Sequence, residues 1–257
     1  MEGKKEDNSL FTTLVFHEIR SKNEISLGQR PISVADGYKD SLPMPLYNSL
    51  DYFCELLNYL KGAGYHFLSL DEIKGFYYED QKLPEKSVLI TFDDCYQSQK
   101  KYAYPVLKEM GIKAVSFEPT GWIFEEEQPY KENFSQVLSF KELEEMADIF
   151  TYANHTHHFH QREGIEKSRI MWESEASFIR DLESCNQYVE EKDVFAYPFG
   201  LYNQNNVQTL LNSHFKLAFT TEPGINTSST PPLELHRNIV IEGLPIDKFR
   251  EMLGEQK

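Results

Sequence analysis

Cysteine, basic charge and long apolar runs are all scarce in this chain of 257 residues. Its three cysteines, Cys54, Cys95 and Cys185, lie far apart with no C-x-x-C pair, which argues against a disulfide scaffold and fits a reducing compartment. Lysine and arginine total 26 against 41 acidic residues, a formal charge of -15. A phosphate backbone needs a partner of the opposite sign, and no basic patch with interleaved aromatics occurs, so nucleic acid is excluded. The same field suits a neutral or cationic substrate better than a polyanion. No run of 18 apolar residues occurs, so no membrane segment is expected, and no protein partner is evident. The N-terminus, M-E-G-K-K-E-D-N-S-L, lacks an apolar export stretch. A cytoplasmic location is therefore expected, although a trimmed extracellular or cell-surface protein would look the same.

What is present is a core. The hydrophobic fraction is 40% and the aromatic fraction 14%, with 18 Phe and 15 Tyr, which excludes a disordered or fibrous class. No linker or repeat divides the chain, and one α/β barrel or open sheet would use all of it. Residues 1–257 are expected to form a single domain.

Strand-like and helix-like stretches alternate. Leu14 to His17 reads as a first buried strand, followed by a polar loop from Ser21 to Pro45. Leu50 to Leu60 has helical spacing at Tyr52, Phe53, Leu56, Leu57 and Leu60, and Gly62 and Gly64 end it. Tyr65 to Leu70 reads as a strand, Asp71 to Phe76 as a short helix at most, and Val88 to Phe92 as a third strand. Lys101 to Met110 suits a helix stopped by Gly111, and Lys113 to Phe117 a strand. Ser139 with Glu142 three residues on has the capping-box spacing for a helix to Ala147. Phe150 to Ala153 suits a strand, Ile165 to Val189 a long helix, and Val194 to Tyr197 a strand ended by Pro198-Phe199-Gly200. Asn206 to Asn212 suits a helix, Leu217 to Thr220 and Asn238 to Ile241 strands, and a final helix starts at Ile246. Such alternation implies parallel βαβ units.

The unusual chemistry follows strand ends, where α/β barrels and doubly wound sheets carry their sites. Val88 to Ser98 read V-L-I-T-F-D-D-C-Y-Q-S, ending a strand in two adjacent carboxylates, Asp93 and Asp94. Like charges side by side are costly unless a cation neutralises them. Asn154 to His160 read N-H-T-H-H-F-H, which puts four of the eight histidines within six residues. His155 and His160, with Asp94, form a two-imidazole, one-carboxylate set for a divalent metal, zinc first and other first-row ions after it. His157 and His158 are rival ligands. Asp93, left unligated beside the metal, is placed to take a proton from water, or else to orient a ligand histidine.

T-F-D-D-C-Y-Q-S, Thr91 to Ser98, resembles the first motif of the polysaccharide deacetylases, the NodB-homology or carbohydrate esterase family 4 group. Cys95 stands where that motif usually has glycine. The resemblance implies Asp93 as general base and Asp94 as metal ligand. H-T-H-H-F-H resembles the second motif, and the five-residue spacing of the poly-β-1,6-N-acetylglucosamine deacetylase branch gives His155 and His160 as ligands. Leu138 to Met146 matches the same branch. A-Y-P-F-G, Ala196 to Gly200, aligns with the third motif, with Ala196 where most members carry an arginine that steers the base. His236, in L-E-L-H-R, is the late candidate for general acid, although its setting also resembles the arginine-bearing strand start of this branch.

The resemblance implies a distorted (β/α) barrel of about seven parallel strands. It also implies metal-dependent hydrolysis of the N-acetyl group of an amino sugar, in a polysaccharide or a smaller glycan precursor, with release of acetate. One divalent ion is implied: zinc, with cobalt, nickel or manganese as alternatives. A backbone N–H near Cys95 or Tyr96 would help stabilise the oxyanion. The competing class is a catalytically weakened metal- or carbohydrate-binding protein on the same barrel. His17, Trp122, Tyr197 and Phe199 are candidate substrate contacts, since an aromatic face packs on the apolar face of a pyranose. His66 and His214 read as structural.

Overall fold

β-branched and aromatic runs set between helices fold here as parallel strands. A computed structural model describes residues 9–28, 30–40 and 46–255. Its main sheet has nine strands: β1 (Leu10–Phe16), β2 (His66–Phe67), β3 (Ser87–Asp93), β4 (Ala114–Glu118), β5 (Phe150–Asn154), β6 (Glu191–Ala196), β7 (Leu217–Phe219), β8 (Asn226–Thr227) and β9 (Asn238–Ile239). Seven of them form one path, β7-β6-β5-β4-β3-β1-β8, with β2 added on β3 and β9 on β1. Only the β8–β1 pairing is antiparallel. The sheet is curled and open, a half-barrel, which is the distorted barrel that the resemblance implies, built of the parallel units that the alternation implies.

Period-two alternation positions the chemistry. Every residue of β3 is buried, as expected for a strand covered on both faces. Val88, Ile90 and Phe92 join the layer beneath helix α1 (Leu50–Gly62), while Leu89 joins Phe117, Ala153, Ala196 and Phe219 on the inner face. Asp93 follows Leu89 and Thr91 on that inner face. Helix α1 starts at Ser49, whose side chain accepts from the Tyr52 amide, and buries Phe53, Leu56, Leu57 and Leu60. Each of those side chains contributes about 1.5–3 kcal/mol by leaving water.

The span from Ile165 to Val189 is not one helix. Arg162–Glu163 and Lys167–Ser168 form a hairpin around Gly164 (φ +65°), a 3-10 turn follows at Arg169–Met171, and the helix is only Glu175–Cys185. Ser174 starts that helix afresh by accepting from the Ser177 amide, and the buried stripe Phe178, Asp181, Leu182, Cys185 begins only after it. The strand read from Tyr65 to Leu70 shortens to His66–Phe67, because Ser69 and Glu72 form a capping box and Leu70 opens a helix to Tyr78. The antiparallel β8 carries no apolar run and was not anticipated. Among the described residues, no helix is long and apolar enough to cross a membrane.

Candidate metal and active site

At the end of β3 the backbone turns left-handed, with φ 71° at Asp94 and 52° at Cys95. Side chains rarely accept that region, and glycine usually fills it, which gives a physical reason for the glycine that Cys95 replaces. The turn breaks strand alternation, so two consecutive carboxylates end up buried at one strand end. Cys95 itself is fully buried against Ser116, and burial pushes its thiol far up, so it is no nucleophile.

The histidine loop is held from behind. Asn154 closes β5, donating to the Leu182 carbonyl and to Asn186 and accepting from the Thr156 amide. Thr156 is left-handed (φ 74°). Asp181 then accepts the amides of both His157 and His158 at 2.7 Å. Burial raises the Asp181 carboxyl despite those two bonds. The loop sends His157 to Thr120 Oγ1 at 2.7 Å and His158 outward, 53% exposed, which removes both rivals from the metal position.

His155 and His160 converge instead. His155 Nδ1–H donates to the Ala196 carbonyl at 2.7 Å, which leaves Nε2 with its lone pair facing inward. His160 is wedged between Trp122 and Phe199, each 4.3 Å between ring centres. The two Nε2 atoms lie 3.1 Å apart, and Asp94 Oδ1 lies 3.8 Å from the first and 3.3 Å from the second. That oxygen is buried without a hydrogen-bond partner. Two lone pairs and a carboxylate oxygen aimed at one point fit a divalent cation. Burial lowers His155 to about 4 and holds His160 well below the usual imidazole value, so both imidazoles are neutral, the ligating form. Burial first, then Asp93, pushes Asp94 well above the carboxylate range, and a cation at that point reverses the effect. Tyr96 also hydrogen-bonds the Asp94 carboxylate.

Asp93 has a different environment. Arg237, fully buried, grips it with two bonds, Nη1 to Oδ1 at 2.6 Å and Nη2 to Oδ2 at 2.9 Å, while its Nε donates to the Thr220 carbonyl. Burial raises Asp93, but Arg237, His155 and His17 together outweigh it and hold the carboxyl below its usual value. Arg237 thus does, from just before β9, what an arginine at position 196 would do, and Ala196 serves the metal site through its carbonyl. His17 Nε2 lies 3.9 Å from Asp93 Oδ2. Burial lowers His17 to about 4, with Asp93 opposing and Arg237 assisting.

A cavity of about 130 Å³ opens on this group, and His17, Tyr96, Trp122 and Phe199 line it beside the triad. Trp122 is only 2% exposed and stacks on Tyr38, so it buttresses His160 rather than offering a free face. Tyr197 does not reach the cavity. It is fully buried, stacked on Tyr202, with its hydroxyl donating to the Leu233 carbonyl. Alternation past Ala196 sends it outward, and the left-handed Phe199 (φ 59°) brings the next aromatic back. His236 is also outside the cavity. Its backbone pairs with the Asn226 side chain and its ring packs on Gly224, because Arg237 takes the inward position of the segment. A wider surface hollow beside Lys100, Lys101 and Tyr130 contains none of the triad.

Asp181, Arg20, Arg30 and Arg162 were not anticipated. Asp181 had a signal, an acid inside the apolar stripe of its helix; the three arginines, which line the cavity from two short strands outside the main sheet and a loop, had none.

Residues 80–217 match the polysaccharide deacetylase family. The poly-β-1,6-N-acetyl-D-glucosamine N-deacetylase of Staphylococcus aureus is 30% identical over 259 residues, covering 97% of this chain and 83% of that enzyme. Among solved structures, IcaB from Ammonifex degensii superposes with a TM-score of 0.74 at 21% identity, over 96% of this chain and 97% of that one. The Streptococcus pyogenes deacetylase PplD, solved with acetate, gives 0.73 at 22% identity, over 95% and 98%.

Proposed function

This chain belongs to the polysaccharide deacetylase family, as a metal-dependent carbohydrate deacetylase of the poly-β-1,6-N-acetylglucosamine branch, and from that premise we propose its reaction, metal and substrate. The reaction is hydrolysis of the N-acetyl amide of a β-linked glucosamine unit, giving acetate and a free amine. The observation that carries it is the pairing of the Asp94, His155, His160 triad with a second carboxylate that an arginine keeps off the metal. The fold and triad are consistent with N-deacetylation of an amino sugar. Zinc is the first choice for two imidazoles and one carboxylate, with cobalt, nickel and manganese as substitutes.

A bound divalent ion supplies Lewis acidity, to the acetyl carbonyl and to water. The protein supplies the rest. Asp93, held ionised by Arg237, receives the proton of the attacking water. His17 is neutral, lines the cavity and lies 3.9 Å from Asp93. We assign His17, in place of His236, to take up the proton that Asp93 receives from water and to pass it on to the amine. The aromatic walls exclude water from around the amide and strengthen each of these charge interactions.

The test is acetate release from N-acetylglucosamine oligomers by protein loaded in turn with zinc, cobalt, nickel and manganese. Asp93→Asn should keep the metal and lose about 10²- to 10⁴-fold in kcat, the usual worth of a general base. Stoichiometric metal with no acetate from any N-acetylated sugar would establish the weakened binding protein instead.

A further inference from the structure

The chain has seven arginines; three of them line the active-site cavity and a fourth, Arg237, grips Asp93 beside it, despite a formal charge of -15. Two of the four are closed ion pairs. Arg237 is spent on Asp93, and Arg162 forks onto Asp40 with bonds of 3.0 and 2.7 Å. The other two are not balanced. Arg20 (1% exposed) has one acid, Glu18, whose carboxylate also accepts from Ser98 and Ser135. Arg30 (5% exposed) has no carboxylate within 4 Å among the described residues; its one bond runs from Nη2 to the Glu24 carbonyl at 2.6 Å. The Glu24 carboxylate itself turns to the Ser21 amide, Tyr130 and Lys101. Nε and Nη1 of both arginines are buried without partners.

A guanidinium cannot discharge itself by losing a proton, and a buried cation without a counterion is costly. Water can satisfy its hydrogen bonds but leaves the charge unmatched. Glu18, Arg20 and Arg30 together leave one positive charge in the wall of a cavity that also contains the triad.

We propose that Arg20 and Arg30 form a subsite for an oxyanionic substituent, a carboxylate or a phosphate, on the amino sugar whose acetyl group is removed. This rests on the deacetylase reading and narrows its substrate from neutral glucosamine units to units bearing one anionic group. The general acidity of the chain does not oppose it. The overall field repels extended polyanions, whereas a single anion inside the cavity meets the two guanidinium forks at contact distance.

Binding to the zinc-loaded protein is measured by calorimetry for three probes: N-acetylglucosamine, N-acetylglucosamine 6-phosphate and N-acetylmuramic acid, which carries a lactyl carboxylate. Acetate release from each is followed in parallel. The subsite requires at least one anionic probe to bind about tenfold or more tighter than the neutral sugar, and whichever of the two does so identifies phosphate or carboxylate. Arg30→Gln should shrink that ratio by about tenfold, while attraction of an anion to the metal alone would survive the substitution. If Arg30→Gln does not fold, Arg30→Lys, which keeps the charge but loses the fork, should narrow the ratio several-fold. Equal binding of all three probes by the wild type, or a preference unchanged in the Arg30 variant, overturns the subsite. Anionic preference with no acetate from these probes or from N-acetylglucosamine oligomers would instead unseat the deacetylase reading and leave the subsite standing.

Discussion

Two guanidinium bonds at Asp93 separate the tasks of two neighbouring carboxylates. Asp94 faces two imidazole nitrogens, and Asp93 faces Arg237 and His17. Replacing His155 or His160 with Ala removes a lone pair from the triad and should weaken metal affinity at least about tenfold, since even outer-contact losses cost that much. Calorimetric metal titration of both variants checks this, and wild-type affinity in both would defeat the ligand assignment. The proton donor is decided by a paired substitution. His17→Ala should lower kcat by about 10²-fold or more with metal retained. His236→Ala should leave the rate near wild type and show its effect in thermal stability, because its ring packs on Gly224 outside the cavity. The reverse pattern would return the role to His236.

At the scale of elements, the site is a set of strand ends, and how much of it could be read depended on locality. The end of β3 and the histidine loop were legible because their chemistry is contiguous: two acids after a β-branched run, four imidazoles after a short aromatic-bearing strand. The capping box at Ser139 was legible for the same reason, a fixed three-residue offset. Tyr197 and His236 were misplaced because alternation at a strand end depends on the backbone turn that follows. The partnership of Arg237 with Asp93 spans 144 residues, and the cavity arginines have no local pattern at all. Glu118, the last residue of β4, belongs to this hidden class. It is buried with Oε1 unpartnered, and burial lifts its carboxyl from 4.5 to about 8. The folded chain therefore binds the extra proton between those values, so its stabilisation is complete below about 4.5 and is lost as pH rises through about 8. Glu118→Gln removes that titration. Its melting temperature should fall less than that of wild type between pH 5 and pH 9. Parallel pH profiles would mean that Glu118 does not remain protonated in the fold.

For the whole molecule, the formal charge of -15 and the proposed reaction together have a kinetic consequence. An N-acetylated glucosamine unit is neutral at its nitrogen, and the deacetylated unit is a cation. Turnover on a neutral oligomer, one whose sugars lack the anionic substituent, thus converts a substrate that the field ignores into a product that the field attracts. The attraction is long-range and is screened by salt, since the Debye length falls from about 30 Å at 0.01 M to about 8 Å at 0.15 M ionic strength. Fully deacetylated glucosamine oligomers should therefore inhibit competitively, more strongly as they lengthen, and the inhibition constant should rise steeply over that salt range. KM for the uncharged N-acetylated oligomer should change little over the same range. Steady-state acetate release at several ionic strengths separates the two quantities. A salt-independent inhibition constant would show that the product is held by contacts inside the cavity, leaving the acidic surface a matter of solubility alone.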